Sequence, residues 1–424
     1  MSDFRALPAG GVRLTNLSVP ACLLGKDGEF TSTSLGVADG LISDRDDLPV
    51  IDMQGAILLP CFTDMHTHLD KGHIWPRRAN PNGTFLGALE NVAEDRAANW
   101  SASDVRARMD FALRCAWAHG TAAIRTHLDS IPPQDDISWP VFDEMRADWA
   151  GRIALQGACL VAIENVDADG PYAHTADLVA RYGGILGAVS YSVPDLDAKL
   201  DIIFAHAAAR NIASIDFHSD ETKDPASATL RAIAQAKLRA GYDGTVVVGH
   251  CCSLAQQSLD EANRTLDLVA EADLKVVSLP MCNLYLQDRE AGRTPRWRGV
   301  TLVHEMVARG IDVSFASDNT RDPFYAYGDL DMVEVMREAT RIAHLDHSRD
   351  DWIRAFTATP AGACGLNTPT LAVGTPADVV IFKARDWNEF FARPQTDRIV
   401  LRQGRQIDRT LPDYAELDHL MEVS

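Results

Sequence analysis

A chain of 424 residues, 46% hydrophobic and 24% charged, is long enough for one large domain or two or three ordinary ones around a sizeable core. Its 40 basic and 60 acidic side chains leave a formal net charge of −20, and no run of Lys or Arg is long enough to grip a phosphate backbone, so nucleic acid is not an expected partner. The eight scattered cysteines include no C-x-x-C pair and read as reduced thiols of a cytoplasmic protein; with no basic start leading into an apolar stretch and no eighteen consecutive apolar residues, neither a signal peptide nor a membrane span is expected.

Residues 11–57 form short β-like runs between turn residues, VRLTNLSVP, GLISDRD and PVIDMQG among them. From residue 57 the pattern becomes apolar strand, loop and amphipathic helix, repeated. Eight strand candidates follow: ILLPCFTDMH, AIRTHLD, RIALQGACLVAI, GILGAVSY, IASIDFHSD, TVVVGH, LKVVSLP and IDVSFASD. Helix-length segments such as DVRARMDFALRCAWAHG and SLDEANRTLDLVAEA separate most of them. Near-continuous apolar strands alternating with helices predict a buried parallel sheet, and a count of eight favours a closed α/β (β/α)₈ barrel. After a last helical region at about 329–358, β-like runs return in ADVVIFKA and RIVLRQGRQI. The expected division is residues 1–57 and 369–424 forming one small β-sandwich from both ends, flanking a barrel over 58–368.

In barrels of this type the C-terminal ends of the strands converge on one mouth. The first candidate ends with His66 and His68, the second with His127 and Asp129, the fifth with His218 and Glu221, the sixth with His250 and the eighth with Asp318. Alternate residues of an extended strand point the same way, so His66 and His68 both face the interior. Imidazole and carboxylate donors suit Zn²⁺ or Fe²⁺, and three His with one Asp around a bound water match an open catalytic site better than a closed structural one. His127 and Asp129 read equally well as supports that orient ligands or as polar strand ends. Met281, Cys282 and the histidines of the helices and loops read as packing or surface residues.

The set PCFTDMHTHLDKGH, FHSDE, GHCCS and ASDNTRDPF resembles the metal-dependent amidohydrolase superfamily, specifically its cytosine deaminase branch. GTFLGALE, AAIRTHLD and RWRGVTLVHEMVARGIDVSFASD extend the likeness along essentially the whole chain. The resemblance implies that His66, His68, His218 and Asp318 hold the metal, that Glu221 shuttles protons and that His250 orients the metal-bound water. It implies one divalent ion, since GILGAVSY lacks the bridging lysine of two-metal relatives. It also implies a homo-oligomer acting on a small nitrogen heterocycle. Asp318 would accept a proton from the water, Glu221 would protonate the ring nitrogen, and His250 would stabilise the tetrahedral intermediate.

The likeness thins at the substrate. Cytosine deaminases read the pyrimidine edge with a glutamine after the third strand, where Asn165 stands beside Glu164; their second aspartate is Asn319 and their tryptophan is Phe324. Together with Phe85 of GTFLGALE, these are the candidate substrate contacts. The expectation is hydrolytic deamination of a cyclic amidine such as cytosine or a related pyrimidine or triazine. The alternatives are ring opening or N-dealkylation by the same water, or a catalytically silent binding scaffold.

Overall fold

The computed structural model describes every residue except 1, 2, 9, 350, 423 and 424. Sixteen strands occur among the described residues. Those of the first part are β1 (Val12–Pro20), β2 (Phe30–Ala38), β3 (Leu41–Ser43), β4 (Val50–Asp52) and β5 (Ile57–Pro60). Then come β6 (Phe62–Thr67), β7 (Thr121–Asp129), β8 (Ala154–Leu160), β9 (Leu186–Ser190), β10 (Ser214–Ser219), β11 (Thr245–His250), β12 (Leu274–Ser278) and β13 (Val313–Phe315). The last three are β14 (Val379–Phe382), β15 (Ile399–Arg402) and β16 (Arg405–Gln406).

The architecture is α/β with parallel sheets. The order β6-β7-β8 makes one sheet and β13-β12-β11-β10-β9 another, every pairing in both being parallel. Their strands are buried on both faces, Val246, Val247 and Val248 of β11 being fully enclosed, as helices on the outside and side chains within require. Bridges Ala158↔Ile185 and Ala162↔Val189 join β8 to β9, and Thr67↔Asp318 joins β6 to the residues beyond β13. The helices between follow their apolar periodicity. Leu259–Glu271, for example, starts at a capping box in which Ser258 and Glu261 satisfy each other's backbone N–H.

The two chain ends meet in the third sheet, ordered β16-β15-β14-β5-β1-β2-β3 with β4 added to β1. Its core is a separate apolar cluster that includes Leu14, Leu58, Val379 and Leu401. The last helical region, expected over about 329–358, is one regular helix, Met332–Ala343, followed by short 3₁₀ turns. No helix is long and apolar enough to cross a membrane among the described residues.

Candidate active site

Four of the predicted donors meet at the ends of the parallel strands. His218 Nε2 lies 3.1 Å from His66 Nε2 and 3.3 Å from His68 Nε2, and Asp318 Oδ1 lies 3.2 Å from His68 Nε2 and 3.7 Å from His66 Nε2. All four side chains are buried. Ligand bonds of about 2.0–2.1 Å in a tetrahedron set neighbouring donors roughly 3.3 Å apart, so this group fits a divalent cation. Two further observations support the fit. Burial, reinforced by neighbouring histidines, pushes all three imidazoles well below their ordinary range, leaving them neutral with lone pairs available. Neither oxygen of Asp318 has a hydrogen-bond partner among the described residues, an expense that a buried carboxylate needs a cation to offset.

Local structure explains the convergence. Asp64, two residues before His66 on the same strand face, accepts hydrogen bonds from the backbone N–H (3.1 Å) and hydroxyl of Ser317, which places the next residue, Asp318. Asp318 stands three residues beyond β13, and its N–H donates to His66 O at 2.9 Å. Asp220, His250 and Asp318, at or just beyond strand ends, have φ of 52°, 68° and 66°, left-handed values uncommon for such residues. The Asp220 carboxylate accepts from Ser227 Oγ, from Thr229 Oγ1 and N, and from Leu230 N, which fixes the turn bearing Glu221.

Glu221 and His250 stand together, His250 Nδ1 being 3.5 Å from Glu221 Oε1. Burial first, and the nearby charge of Asp318 second, push the Glu221 carboxyl well above the ordinary range. Burial raises Asp318 to about 7 and lowers His250 to about 3. A cavity of about 360 Å³, within the roughly 300–1,000 Å³ range of small-molecule sites, is lined by His218, Glu221, Phe85, Tyr191, Gln287 and Arg289 among others.

His127 and Asp129 separate in role. The His127 ring is 4.1 Å from that of His66, and its Nε2 is 3.3 Å from Asp216 Oδ1, whose other oxygen accepts from Arg125 at 2.9 Å. His127 therefore belongs to the histidine group, with its carboxylate and guanidinium supports on β10 and, two residues back, on β7. Asp129 faces two cations, Lys71 Nζ and Arg96, each at 2.7 Å. Lys71 is itself buried, 5.6 Å from the centre of the Phe324 ring.

Among the candidate substrate contacts, Phe85 lines the cavity and Phe324 packs against it edge-on at 5.5 Å. Asn319 is buried and turned away, donating to Asp322 Oδ2 at 2.7 Å. Glu164 and Asn165 are not brought to the histidine cavity. They are exposed on the 3₁₀ turn Ile163–Asn165 and line a different groove with Tyr172 and Lys199, because the chain after β8 turns outward and Ile163, not Asn165, takes the buried position. Cys282 is buried as expected of a packing residue, its Sγ 3.6 Å from Asn319 Oδ1. Lys71 and Arg125 stand inside the stretches PCFTDMHTHLDKGH and AAIRTHLD without a role being read for them, Asp216 shows only as a polar residue in a parallel strand, and Asn283 and Gln287, on and just after the helix Pro280–Leu286, carry no motif.

Comparison with known proteins agrees with this arrangement. The amidohydrolase family model matches residues 166–408. The chain is 54% identical over 418 residues to pterin deaminase of Rhizobium rhizogenes strain K84, covering 96% of this chain and 95% of that protein. Among solved structures, 5-methylcytosine deaminase from Klebsiella pneumoniae with 5-fluorocytosine superposes with a TM-score of 0.78 at 22% identity, over 95% of this chain and 98% of that one. N-isopropylammelide isopropylaminohydrolase from Burkholderia multivorans gives 0.74 at 23%, over 94% and 98%.

Proposed function

Because this chain belongs to the amidohydrolase family and is a hydrolase of non-peptide C–N bonds, we propose that it deaminates a 2-amino-4-oxopteridine, replacing the ring amine by oxygen and releasing ammonia. The observation that carries the substrate is the 54% identity to a pterin deaminase along nearly the whole of both chains. It refines the expectation of cytosine or a triazine to a larger ring of the same amidine type.

In this reading the eight parallel strands β6 to β13 form a closed (β/α)₈ barrel within residues 61–368, starting later than the expected 58 because β5 pairs with β1 and β14 in the terminal sheet. The bridges that join β8 to β9 and β6 to Asp318 support it, as does the superposition at a TM-score of 0.78. The terminal segments up to 60 and from 369 form the second, sandwich-like unit. His66, His68, His218 and Asp318 hold one divalent ion, Zn²⁺ or Fe²⁺. Bound there, such an ion acts as a Lewis acid and lowers the pKa of a coordinated water to about 7.

The protein's own groups divide the proton work. Glu221, whose carboxyl burial pushes up, gives its proton to the ring nitrogen beside the amine-bearing carbon, recovers one from the hydroxyl that the added water leaves on that carbon, and hands it to the departing amine; the proton taken up by Asp318 then restores Glu221. Asp318 takes the proton released as water adds. The neutral His250 ring donates a hydrogen bond to the oxygen arriving at the ring carbon. Phe85 offers an aromatic wall to a flat substrate.

The test is ammonia release from pterin against cytosine, isocytosine and an aminotriazine, with wild type and Glu221→Gln. Pterin is expected to be turned over fastest. The variant should keep its metal and lose roughly 10²–10⁴-fold in kcat. A ring-opened product, an alkylamine in place of ammonia, or near-wild-type turnover by Glu221→Gln would refute this reading.

A further inference from the structure

Asn283 sits on the seven-residue helix Pro280–Leu286 that follows β12, and no motif marks it. It is 1% exposed, and its Nδ2 lies 2.9 Å from His250 Nδ1 and 3.2 Å from Glu221 Oε1. A carboxamide nitrogen carries two protons, one for each of these atoms. In this structure Nδ2 is the atom turned toward both, leaving Oδ1 without a hydrogen-bond partner among the described residues. A His250 Nδ1 that accepts a hydrogen bond carries no proton in the neutral ring, and the proton is then on Nε2. That Nε2 is buried and has no hydrogen-bond partner of its own among the described residues. The His250 ring belongs to a group with His66 and Asp318 whose ligand atoms all lie within 4.8 Å of one another.

The neighbouring turn secures the same geometry. Gln287, four residues on, is buried and donates from Nε2 to the backbone oxygen of Glu221 at 3.1 Å. Gly299 presses on both amide-bearing residues. A Cβ there would lie 2.5 Å from Gln287 Cβ and 2.9 Å from the Asn283 carbonyl oxygen, and its φ of 77° is one that glycine adopts freely. Gly299 thus approaches the stem of Gln287 and the backbone of Asn283 so closely that no side chain fits there.

We propose that Asn283 is the positioning residue that fixes His250 as the Nε2–H tautomer and, through its second proton, holds the Glu221 carboxyl beside it. The inference rests on the reading of His250 and Glu221 as the groups that handle oxygen and proton in the reaction. Without Asn283 the ring is free to present a lone pair where a donor is needed, and the carboxyl loses its neutral anchor.

Asn283→Asp is the test, because the side chains are nearly isosteric while two donors become acceptors. The tautomer is read in metal-loaded, substrate-free protein labelled with ¹⁵N-histidine. His250 should carry its proton on Nε2 in the wild type and on Nδ1 in the variant. With pterin, kcat should fall roughly 10²-fold, as for the loss of one oriented donor. KM should stay within about threefold and the metal content should be unchanged. If His250 keeps Nε2–H in the variant, the assignment is wrong; if the proton moves and kcat stays within about threefold, its catalytic consequence is wrong. Asn283→Ser is a second variant should the first fail to fold or to retain metal. Its single hydroxyl proton can serve His250 but not Glu221 as well, so the Nε2–H tautomer should survive with a smaller loss of kcat; a tautomer lost in this variant would overturn the proposal. An error in the choice of pterin would leave the substrate-free spectra untouched, so the two readings fail separately.

Discussion

Glu334, in the first turn of the helix Met332–Ala343, sits among the acidic side chains of Asp331, Glu338 and Asp329. Burial first, and these three like charges after it, raise its carboxyl from 4.5 to about 7; His119 offsets only part of this. The native state therefore binds more protons than the unfolded chain between pH 4.5 and 7, and Glu334's contribution to stability falls as pH rises through that window and is flat above it. At about 1.36 kcal/mol per decade of proton affinity, the full penalty above pH 7 is about 3 kcal/mol, and solvent reaching this partly buried group reduces it to about 2. Glu334→Gln removes the ionisation. An unfolding entropy of about 2 cal/mol/K per residue amounts to roughly 0.9 kcal/mol/K for a chain of this length, so the variant's melting midpoint should rise by about 2 °C at pH 8. At pH 5 it should be unchanged. Calorimetry of both proteins at the two pH values decides the matter. An equal shift at pH 5 and pH 8, or a lower midpoint for the variant at pH 8, would refute the reasoning.

Other perturbations probe different levels. His68→Ala removes one of the four clustered donors and should abolish stoichiometric metal by elemental analysis; unchanged metal would take His68 out of the donor set. Arg77 is buried between Asp95 (2.9 Å) and Asp104 (2.6 Å) and also donates to Leu420 O at 3.0 Å. Arg77→Met should cost about 3–5 kcal/mol by stranding a buried carboxylate, lower the melting midpoint by roughly 3–6 °C, and expose the last turn to proteolysis. A midpoint within about 1 °C of wild type would show that the pair is not stabilising.

The convergence of the candidate donors was legible in the sequence because the periodicity of a strand is local. His66 and His68 two apart, and His218, His250 and Asp318 each at the end of an apolar run, announce a shared mouth before any tertiary contact is known. The strand and helix alternation was legible for the same reason, and the main helices lie close to their patterns. Contacts made across the fold were not legible. Asn283 reaches back over 33 positions to His250 and 62 to Glu221, and neither separation has a local signature. Asn165 shows the converse: alignment of LVAIENVD with a relative's motif predicts a contact, while one 3₁₀ turn after β8 carries the side chain outward. His127 could not be assigned from sequence because its role depends on Asp216, far along the chain on β10.

The bridge from Thr67 to Asp318 bears on how the enzyme is made. A ribosome must complete three quarters of the chain before the last donor exists, and only then does β6, among the first strands synthesised, gain its neighbour on that side. β5 waits longer still for β14. Until then the growing polypeptide carries an incomplete set of candidate donors and an uncovered apolar sheet edge, a template for wrong pairing. On the proposed reading, ion loading belongs to the end of synthesis, and the yield of active enzyme should respond to metal supplied to finished chains more than to metal present during translation.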